Sequence, residues 1–362
     1  MLSSVSKSLY PLSCYQLLTN TWPRGESSLR APRQPLRAAN GFALNIDSAR
    51  RCLCMRSADT QQKPARSNNA SGKSLTYTAY EGNSWQTTFN QSGVTVLVDP
   101  WLEGDLVFAN QTWLYRGSKG ALKDVELDLD QIGSQADVIL LSQGLDDHAH
   151  KPTLQRLPKH KQVVGSPAAA TVAEGLGFTN VIALHHGQSV QICDGQLSIT
   201  ATAGALVGPP WSKRENGFVL AETQTNGLKM YYEPHCDYDE SSVASVGKVD
   251  AIVTPVNSQV LIKFPLVKGK ENAVKLVQTL QPALVIPLIN AKFNQSGPLS
   301  KLIHAEGSPE DLQGQLQQHG LGHVSVRNAR SSWQNNASRF LMHCVAPSGV
   351  LFVWNMTRCV WI

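Results

Sequence analysis

Short apolar runs broken by Gly, Asn and Asp make up most of the chain from residue 75 onward, and each has the length of one β-strand. The predicted strands are 76–80, 86–89, 94–98, 138–141, 162–164, 181–184, 189–192, 197–202, 217–221, 229–232, 251–254 and 283–287, and the predicted helices are 168–175, 271–280 and 309–319. Strands come in two consecutive blocks, with helices entering later in each block. This order predicts an α/β (α+β) fold in which two sheets pack face to face with helices outside.

The strand predicted at 138–141 ends abruptly in a polar loop that carries Asp146, Asp147, His148 and His150. Pro152 then suits the first turn of a helix. Two carboxylates and two imidazoles so close together are either solvated, hydrogen-bonded to one another, or gathered around a cation. An exposed polar loop between a strand and a helix accounts for the same residues without a site.

Two other predicted strands also end in polar side chains. Asp99 follows the strand at 94–98, where it either orients a neighbouring ligand or caps the turn at Pro100. Glu233 and His235 follow the strand at 229–232, with Cys236 beside them. These strand ends supply the further candidates for a shared site.

Composition and charge restrict the class of protein. The 362 residues are 42% hydrophobic, which is enough for a core in one large or two ordinary domains. Residues 1–73 hold eleven Lys and Arg but only three acidic residues, so this leader has a net charge of +8. The whole chain has a net charge of +5, and the remaining residues therefore carry −3. A slightly acidic folded part predicts no nucleic-acid partner. No apolar segment reaches membrane-spanning length, so a soluble protein without a membrane span is expected.

The leader is rich in Ser and Arg and poor in acidic residues, which is typical of an organelle transit peptide. We expect residues 1–73 to be a transit peptide and disordered linker, with a chloroplast address or, alternatively, a mitochondrial one. An ordinary disordered N-terminus has the same composition. Residues 74–326 then form the folded domain, and 327–362 form a C-terminal tail of uncertain structure.

The order of these features resembles the metallo-β-lactamase fold superfamily, particularly its lactonase-like and phosphodiesterase-like branch, over roughly residues 75–325. The segments that carry the resemblance are 94–101, 140–142 with Asp147 and His148, 186–187, 195–201, 216–220, 230–232 and 285–287. The resemblance implies a four-layer αββα sandwich. It also implies a dinuclear metal site built on a His-x-His-x-Asp-His motif at a strand end, with a metal-activated water as nucleophile.

This chain keeps only part of that motif. The motif aligns with residues 143–148, so Asp147 and His148 match, while Gln143 and Leu145 stand where the family has its first two histidines. Leucine cannot bind zinc and glutamine is a weak ligand, so the first metal site is expected to be absent.

The later ligand positions of the family differ as well. No histidine occurs in 203–206, Glu233 and His235 fall where the bridging Asp would be, and Ile289 beside Asn290 replaces the last histidine. The remaining side chains could hold one metal ion, form a metal-free cluster in which a carboxylate orients a histidine as general base, or belong to a protein without catalysis.

The preferred interpretation is a divergent hydrolase acting on a small ester, lactone or phosphoester in a plastid, with one zinc, iron or manganese ion. The expected metal ligands are Asp147, His148, His150 and His235; the expected catalytic residues are Asp147, His148, His235 and Glu233; the expected supporting residues are Asp99, Asp146 and Gln143. The alternative is a catalytically inactive member, without a metal, that binds a metabolite or serves as a scaffold.

Overall fold

The computed structural model describes residues 73–107, 111–207, 211–262, 264–288, 293–327 and 340–343. The strands are β1 (Ser74–Ala79), β2 (Trp85–Phe89), β3 (Thr95–Val98), β4 (Arg116–Ser118), β5 (Val138–Leu141), β6 (Gln162–Gly165), β7 (Asn180–Ala183), β8 (Ser189–Ile192), β9 (Leu197–Ala203), β10 (Asn216–Glu222), β11 (Lys229–Tyr232), β12 (Ala251–Pro255), β13 (Ser258–Leu261), β14 (Phe264–Lys268), β15 (Leu284–Leu288), β16 (Asn294–Ser296), β17 (Ile303–Glu306), β18 (Ser325–Val326) and β19 (Phe340–His343). The helices are α1 (Leu129–Gln135), α2 (Lys151–Arg156), α3 (Pro167–Gly175), α4 (Glu240–Ala244), α5 (Glu271–Leu280) and α6 (Pro309–Gln318).

Two seven-stranded sheets form the framework. The first has the order β19-β1-β2-β3-β5-β6-β7 and the second the order β18-β15-β12-β11-β10-β9-β8. In each sheet the strands of one half are antiparallel and those of the other half are parallel. The helices connect the parallel strands. Parallel strands need a crossover connection, and most of the helices lie in these crossovers.

The apolar side chains divide into three clusters that correspond to the interfaces between four layers. The central cluster takes side chains from both sheets, including Trp85 and Phe218. A second joins the outer face of the first sheet to α1, α2 and α3, and a third joins the outer face of the second sheet to α4, α5 and α6. The predicted αββα sandwich is therefore confirmed.

The parallel halves of the sheets bring the predicted polar residues to one edge. Every residue of β3 and β5 is buried, and the two strands pair in parallel from Val96 with Val138 to Val98 with Leu140. Their carboxyl ends therefore lie side by side, which places Asp99 next to the loop that follows Leu141. The exit of β11 delivers residues 233–237 from the second sheet.

Some elements differ from the sequence prediction. The connection over 102–136 holds β4 and helix α1, which the alternation of acidic and apolar residues had concealed. Asp128, in the acidic stretch, is the N-cap of α1 and accepts a hydrogen bond from the backbone N–H of Gln131 at 2.9 Å. The hairpin of β13 and β14 was also not predicted.

The ends of the chain are only partly described. In the C-terminal segment predicted as a tail, Phe340–His343 pairs antiparallel with β1 and adds an edge strand to the first sheet. The leader, residues 1–72, and the remainder of the tail lie outside the described residues. Across the described part of the chain, no helix has both the length and the apolar character needed to cross a bilayer.

Truncating the central aromatic cluster tests the packing between the two sheets. Trp85 is fully buried, stacks on Tyr77 with ring centroids 5.2 Å apart, and meets the edge of Tyr232 from the second sheet at 5.2 Å. Trp85→Ala is expected to lower the free energy of unfolding by about 3–5 kcal/mol, because it leaves a cavity between the sheets. Trp113→Ala is the control, since Trp113 is 69% exposed, and it should change stability by less than about 0.5 kcal/mol. Equal effects in denaturant titrations would contradict the arrangement.

Candidate metal centre

Two strand exits bring three side chains together into one group of ligand atoms. Asp147 and His148 follow β5, and His235 follows β11 of the opposite sheet. One ligand atom from each of the three residues lies within 4.8 Å of the other two. His148 is buried, whereas Asp147 and His235 are partly exposed. The group therefore has an inner side held by protein and an outer side open to a small molecule.

His148 is held in place through both of its ring nitrogens. Its Nδ1 lies 2.8 Å from Oδ2 of Asp99, and its Nε2 lies 3.2 Å from Nδ2 of Asn83 and 3.4 Å from Oδ2 of Asp147. An Nδ1–H that donates to Asp99 leaves the Nε2 lone pair facing Asn83 and Asp147. This is the tautomer that a metal ligand requires.

Asp99 is itself fully buried and fixed by several donors. Its Oδ1 accepts a hydrogen bond from the backbone N–H of Ser142 at 2.7 Å. Its Oδ2 accepts from the Ser142 hydroxyl at 2.5 Å and from the Tyr232 hydroxyl at 2.6 Å, beside the contact with His148. Asp99 therefore orients the imidazole of His148, which is the first of the two roles that the sequence suggested for it.

The two carboxylates determine the charge of His148. Burial alone would lower its pKa, but the charges of Asp147 and Asp99 and their hydrogen bonds outweigh burial and raise the pKa to about 10. Burial also acts to raise the pKa of Asp147, and the nearby His148 overcomes this and holds that pKa below its usual value. Without a metal, His148 is therefore an imidazolium paired with these carboxylates, and a metal bound at Nε2 would displace one of its two ring protons.

His235 stands against the ring of His148, with centroids 5.1 Å apart and planes tilted by 40°. Burial and the neighbouring His148 lower its pKa to about 3, so it is a neutral imidazole at physiological pH. Its Nδ1 lies 3.0 Å from Nε2 of Gln143, whose Oε1 is buried without a hydrogen-bond partner. Gln143 thus supports His235 from a position where the resemblance implied a first-site ligand.

The turn after β11 is shaped by Glu233. Its Oε2 accepts hydrogen bonds from the backbone N–H groups of His235 at 3.1 Å and Asp237 at 2.9 Å. Burial raises the pKa of Glu233 to about 8, and its Oε1 is buried without a partner. Glu233, which the sequence suggested as a catalytic residue, therefore fixes the backbone of the turn that positions His235.

Cys236 points away from the group. It is fully buried in the apolar cluster beneath α4, α5 and α6, and burial raises the pKa of its thiol.

Two residues at these strand ends have a left-handed backbone: the φ of Cys236 is +51°, and that of Asp99 at the facing strand end is +40°. Left-handed conformations at non-glycine residues carry strain that surrounding contacts must offset, and such residues concentrate at functional sites.

Two of the expected site residues are placed elsewhere. His150 is the N-cap of α2: its Nδ1 lies 2.9 Å from the Thr153 hydroxyl, and its Nε2 lies 3.4 Å from the carbonyl oxygen of Asp105. Burial lowers its pKa to about 4. Asp146 is half-exposed and lies 3.5 Å from the ammonium of Lys151. The structure does not bring either side chain into the group of Asp147, His148 and His235.

Several contributors were not identified from the sequence. Tyr232 ends a predicted strand and Ser142 directly follows one, so their positions could have suggested them, whereas Asn83 lies in a turn with no distinguishing pattern. Glu215 just before β10 is another: its carboxylate lies within hydrogen-bonding range of Ser166 and is close enough to His148 to feel its charge. Burial raises the pKa of Glu215, so the second sheet contributes a partly desolvated carboxyl group to this edge.

The donor set fits one divalent cation. Two imidazoles and one carboxylate are the ligands of many catalytic zinc and non-haem iron sites. The Oδ1 of Asp147 is buried without a hydrogen-bond partner, so it is available as a ligand at no cost in hydrogen bonds. Asp99 behind His148 supplies the outer carboxylate that metal-bound histidines commonly have.

Comparison with known families agrees with the four-layer fold. The model of the beta-lactamase superfamily domain matches residues 75–289, which is more than half of the chain. The chain belongs to the metallo-β-lactamase fold superfamily. Members of this superfamily are metal-dependent.

Three solved structures illustrate the shared fold. An isothiocyanate hydrolase from Delia radicum gut bacteria aligns with a TM-score of 0.51 and 15% identity, over 75% of this chain and 100% of that chain. Igni18, a metallo hydrolase from Ignicoccus hospitalis, aligns at 0.50 and 12%, over 74% and 98%. CmlA, a diiron β-hydroxylase from Streptomyces venezuelae, aligns at 0.50 and 13%, over 76% and 55%. At these identities the likeness concerns the fold, and a search of curated proteins found no match.

A buried lysine lies beside the loop that carries the candidate ligands. Lys119 is 8% exposed, its Nζ donates to the carbonyl oxygen of Tyr80, and it lies 3.9 Å from the centroid of the Trp101 ring. Burial lowers its pKa from 10.5 to about 7, with Glu81 opposing the change. The protein therefore pays a penalty for keeping this ammonium charged.

This penalty predicts a pH dependence of stability. Between about pH 7 and 10.5 the unfolded chain binds more protons at Lys119 than the folded chain, so this residue makes stability rise with pH. Lys119→Met keeps the packing and should remove that slope in denaturant titrations at pH 7, 8, 9 and 10. Lys123→Met is the control because Lys123 is exposed. A slope that persists unchanged in Lys119→Met would contradict the assignment.

Proposed function

We propose that this protein is a hydrolase with one divalent metal ion, acting on a small ester, lactone or phosphoester. The observation that carries the proposal is the convergence of Asp147, His148 and His235 from two sheets, with ligand atoms within 4.8 Å of one another. Asp99 supports this role because its carboxylate fixes the tautomer of His148. Zinc is the first candidate, and iron or manganese are the others.

The metal ion, when bound, supplies Lewis acidity toward the scissile group and lowers the pKa of a water molecule. The chain supplies orientation. Asp99 holds the imidazole of His148, and Gln143 contacts that of His235. Because Asp147 and His235 are partly exposed, a small substrate can approach from their side while His148 stays shielded from water.

The alternative function is a non-catalytic one, in which the same pocket binds a metabolite or the surface serves as a scaffold. Two observations favour it. Gln143 and Leu145 stand where the superfamily has its first two histidines, and Nε2 of His148 already has a partner in Asn83. The double variant Gln143→His, Leu145→His distinguishes the hydrolase from the non-catalytic alternative. Metal binding by this variant but not by the wild type would favour the alternative.

The cellular setting is part of the proposal. The +8 charge and Ser-rich composition of residues 1–73 support import into a plastid, with the mitochondrion as the other candidate. Fusion of residues 1–73 to a fluorescent protein in plant cells tests this. Uniform cytosolic fluorescence would contradict an organelle address.

Metal content of the purified full-length chain is the direct test of the proposed function. Inductively coupled plasma mass spectrometry should find about one equivalent of zinc, iron or manganese per chain, since the described group suits a single ion. Asp147→Ala and His235→Ala should lose that metal and any turnover of ester, lactone and phosphodiester substrates. Asp146→Asn is the matched control, because it changes the adjacent carboxylate without touching the group. A wild type without metal, or an Asp147→Ala variant that retains it, would sink the proposal.

Asp99 gives a second, graded test. Asp99→Asn removes the carboxylate behind His148 and should weaken metal affinity by about 10- to 100-fold, the usual cost of losing such an outer partner. Tyr232→Phe removes only one donor to Asp99 and should have a much smaller effect. Affinity is measured by competition with a chelating dye. Similar losses in both variants would show that Asp99 acts only as a packing element.

A further inference from the structure

A buried carboxylate next to the candidate metal centre gathers two cations. Oδ1 of Asp237 lies 3.1 Å from Nη1 of Arg214 and 3.2 Å from Nζ of Lys268, while its Oδ2 accepts from the backbone N–H of Leu206 at 3.2 Å. In the described part of the chain, every other ion pair of a Lys or Arg joins one cation to one carboxylate. Two cations therefore share the one carboxylate of Asp237.

Backbone hydrogen bonds link Lys268 and Asp237 to the turn that carries the candidate ligand His235. The backbone N–H of Lys268 donates to the carbonyl oxygen of His235 at 2.8 Å. Asp237 shares the carboxylate of Glu233 with His235, since both backbone N–H groups donate to the same oxygen. The cations that Asp237 holds therefore lie next to a candidate metal ligand.

Arg214 reaches the same edge from the second sheet. Its Nη1 donates to the carbonyl oxygen of Gly204 at 2.6 Å, and the N–H of Gly204 donates to the carbonyl oxygen of Glu215 at 2.8 Å. The carboxylate of Glu215 lies near His148 and Ser166. Arg214 thus adjoins in sequence a residue whose carboxylate is close to His148.

The two side chains remain accessible. Arg214 is 29% exposed and Lys268 is 40% exposed, whereas Asp237 is 10% exposed at its side chain. A guanidinium has five N–H donors and an ammonium has three, so each retains donors after its contact with Asp237. Planar guanidinium donors match phosphate and carboxylate oxygens in particular.

We propose that Arg214 and Lys268, gathered by Asp237, form a subsite that binds an anionic group of the substrate, a phosphate or a carboxylate. The inference rests on the proposed function and refines its substrate class. Among the three classes named there, it favours phosphoesters and carboxylate-bearing esters over neutral esters and lactones.

The first test uses inorganic phosphate and the full-length chain after removal of metal with EDTA, so that the metal cannot bind the anion. Isothermal titration calorimetry should detect phosphate binding that weakens by about tenfold or more in Arg214→Gln and in Lys268→Gln, since each loses a charge-assisted hydrogen bond. Lys270→Gln is the matched control, because Lys270 pairs with Glu306 at 3.1 Å away from the subsite. Acetate, titrated in parallel, distinguishes a carboxylate preference from a phosphate preference.

Asp237→Asn gives a readout that a structural role would not produce. It keeps the shape and an acceptor for Leu206 but releases both cations, so phosphate affinity should rise several-fold. If the ion pairs serve only to hold the loop, this variant melts at a lower temperature and its phosphate affinity does not rise, which overturns the inference. Equal weakening by Lys270→Gln, or no weakening by Arg214→Gln and Lys268→Gln, overturns it as well. Should Arg214→Gln fail to fold, Arg214→Lys is used, with an intermediate loss expected.

A catalytic comparison separates this inference from the proposed function. With metal restored, the wild type should hydrolyse bis(p-nitrophenyl) phosphate in preference to p-nitrophenyl acetate, and Arg214→Gln should raise KM for the phosphodiester alone. Turnover of both substrates with no effect of Arg214→Gln on the KM of the phosphodiester would overturn the subsite and leave the hydrolase standing. Phosphate binding by the metal-free chain without any turnover would sustain the subsite and contradict the hydrolase.

Discussion

The carboxylate of Asp99 is the interaction on which the candidate centre depends. It is fully buried at the end of β3, and it accepts hydrogen bonds from Ser142 of the neighbouring exit, from His148 and from Tyr232 of the opposite sheet. An unpaired buried carboxylate would cost several kcal/mol, so these donors are required for the fold as well as for the site. One group thereby joins the two sheets and orients a ligand.

This arrangement explains how part of a dinuclear motif can persist after the other part is replaced. The imidazole of His148 is held by Asp99 and Asn83 and lies 3.4 Å from Asp147. Leu145 contributes its backbone carbonyl oxygen, which accepts from the N–H of His148 at 3.0 Å, and any residue at position 145 retains that carbonyl. Gln143 retains a contact in the group through His235. The side-chain contacts of His148 therefore do not require histidines at positions 143 and 145.

The fold and the exits that build the site could be predicted from the sequence. Buried strands such as β3 and β5 are continuous apolar runs, and the polar residues after them must emerge at a shared edge because the strands are parallel. Side-chain pairing between distant loops could not be predicted, since no spacing along the chain relates Asn83 to His148 or Arg214 to Asp237. His150 shows the same limit: it looks equivalent to His148 in the sequence, but helix α2 begins there and uses its ring as a cap. The interior of helix α1 was missed because its apolar face is short.

Glu233 illustrates how a position can retain a carboxylate while its role changes. The resemblance placed it where the family has a metal-bridging Asp, yet its Oε2 is committed to two backbone N–H groups, those of His235 and Asp237. These two bonds fix the imidazole that faces the centre and the carboxylate that gathers Arg214 and Lys268. Because one turn carries both, the ligand and the cations cannot shift independently. A change in the backbone of this turn therefore moves the imidazole of His235 and the carboxylate of Asp237 together.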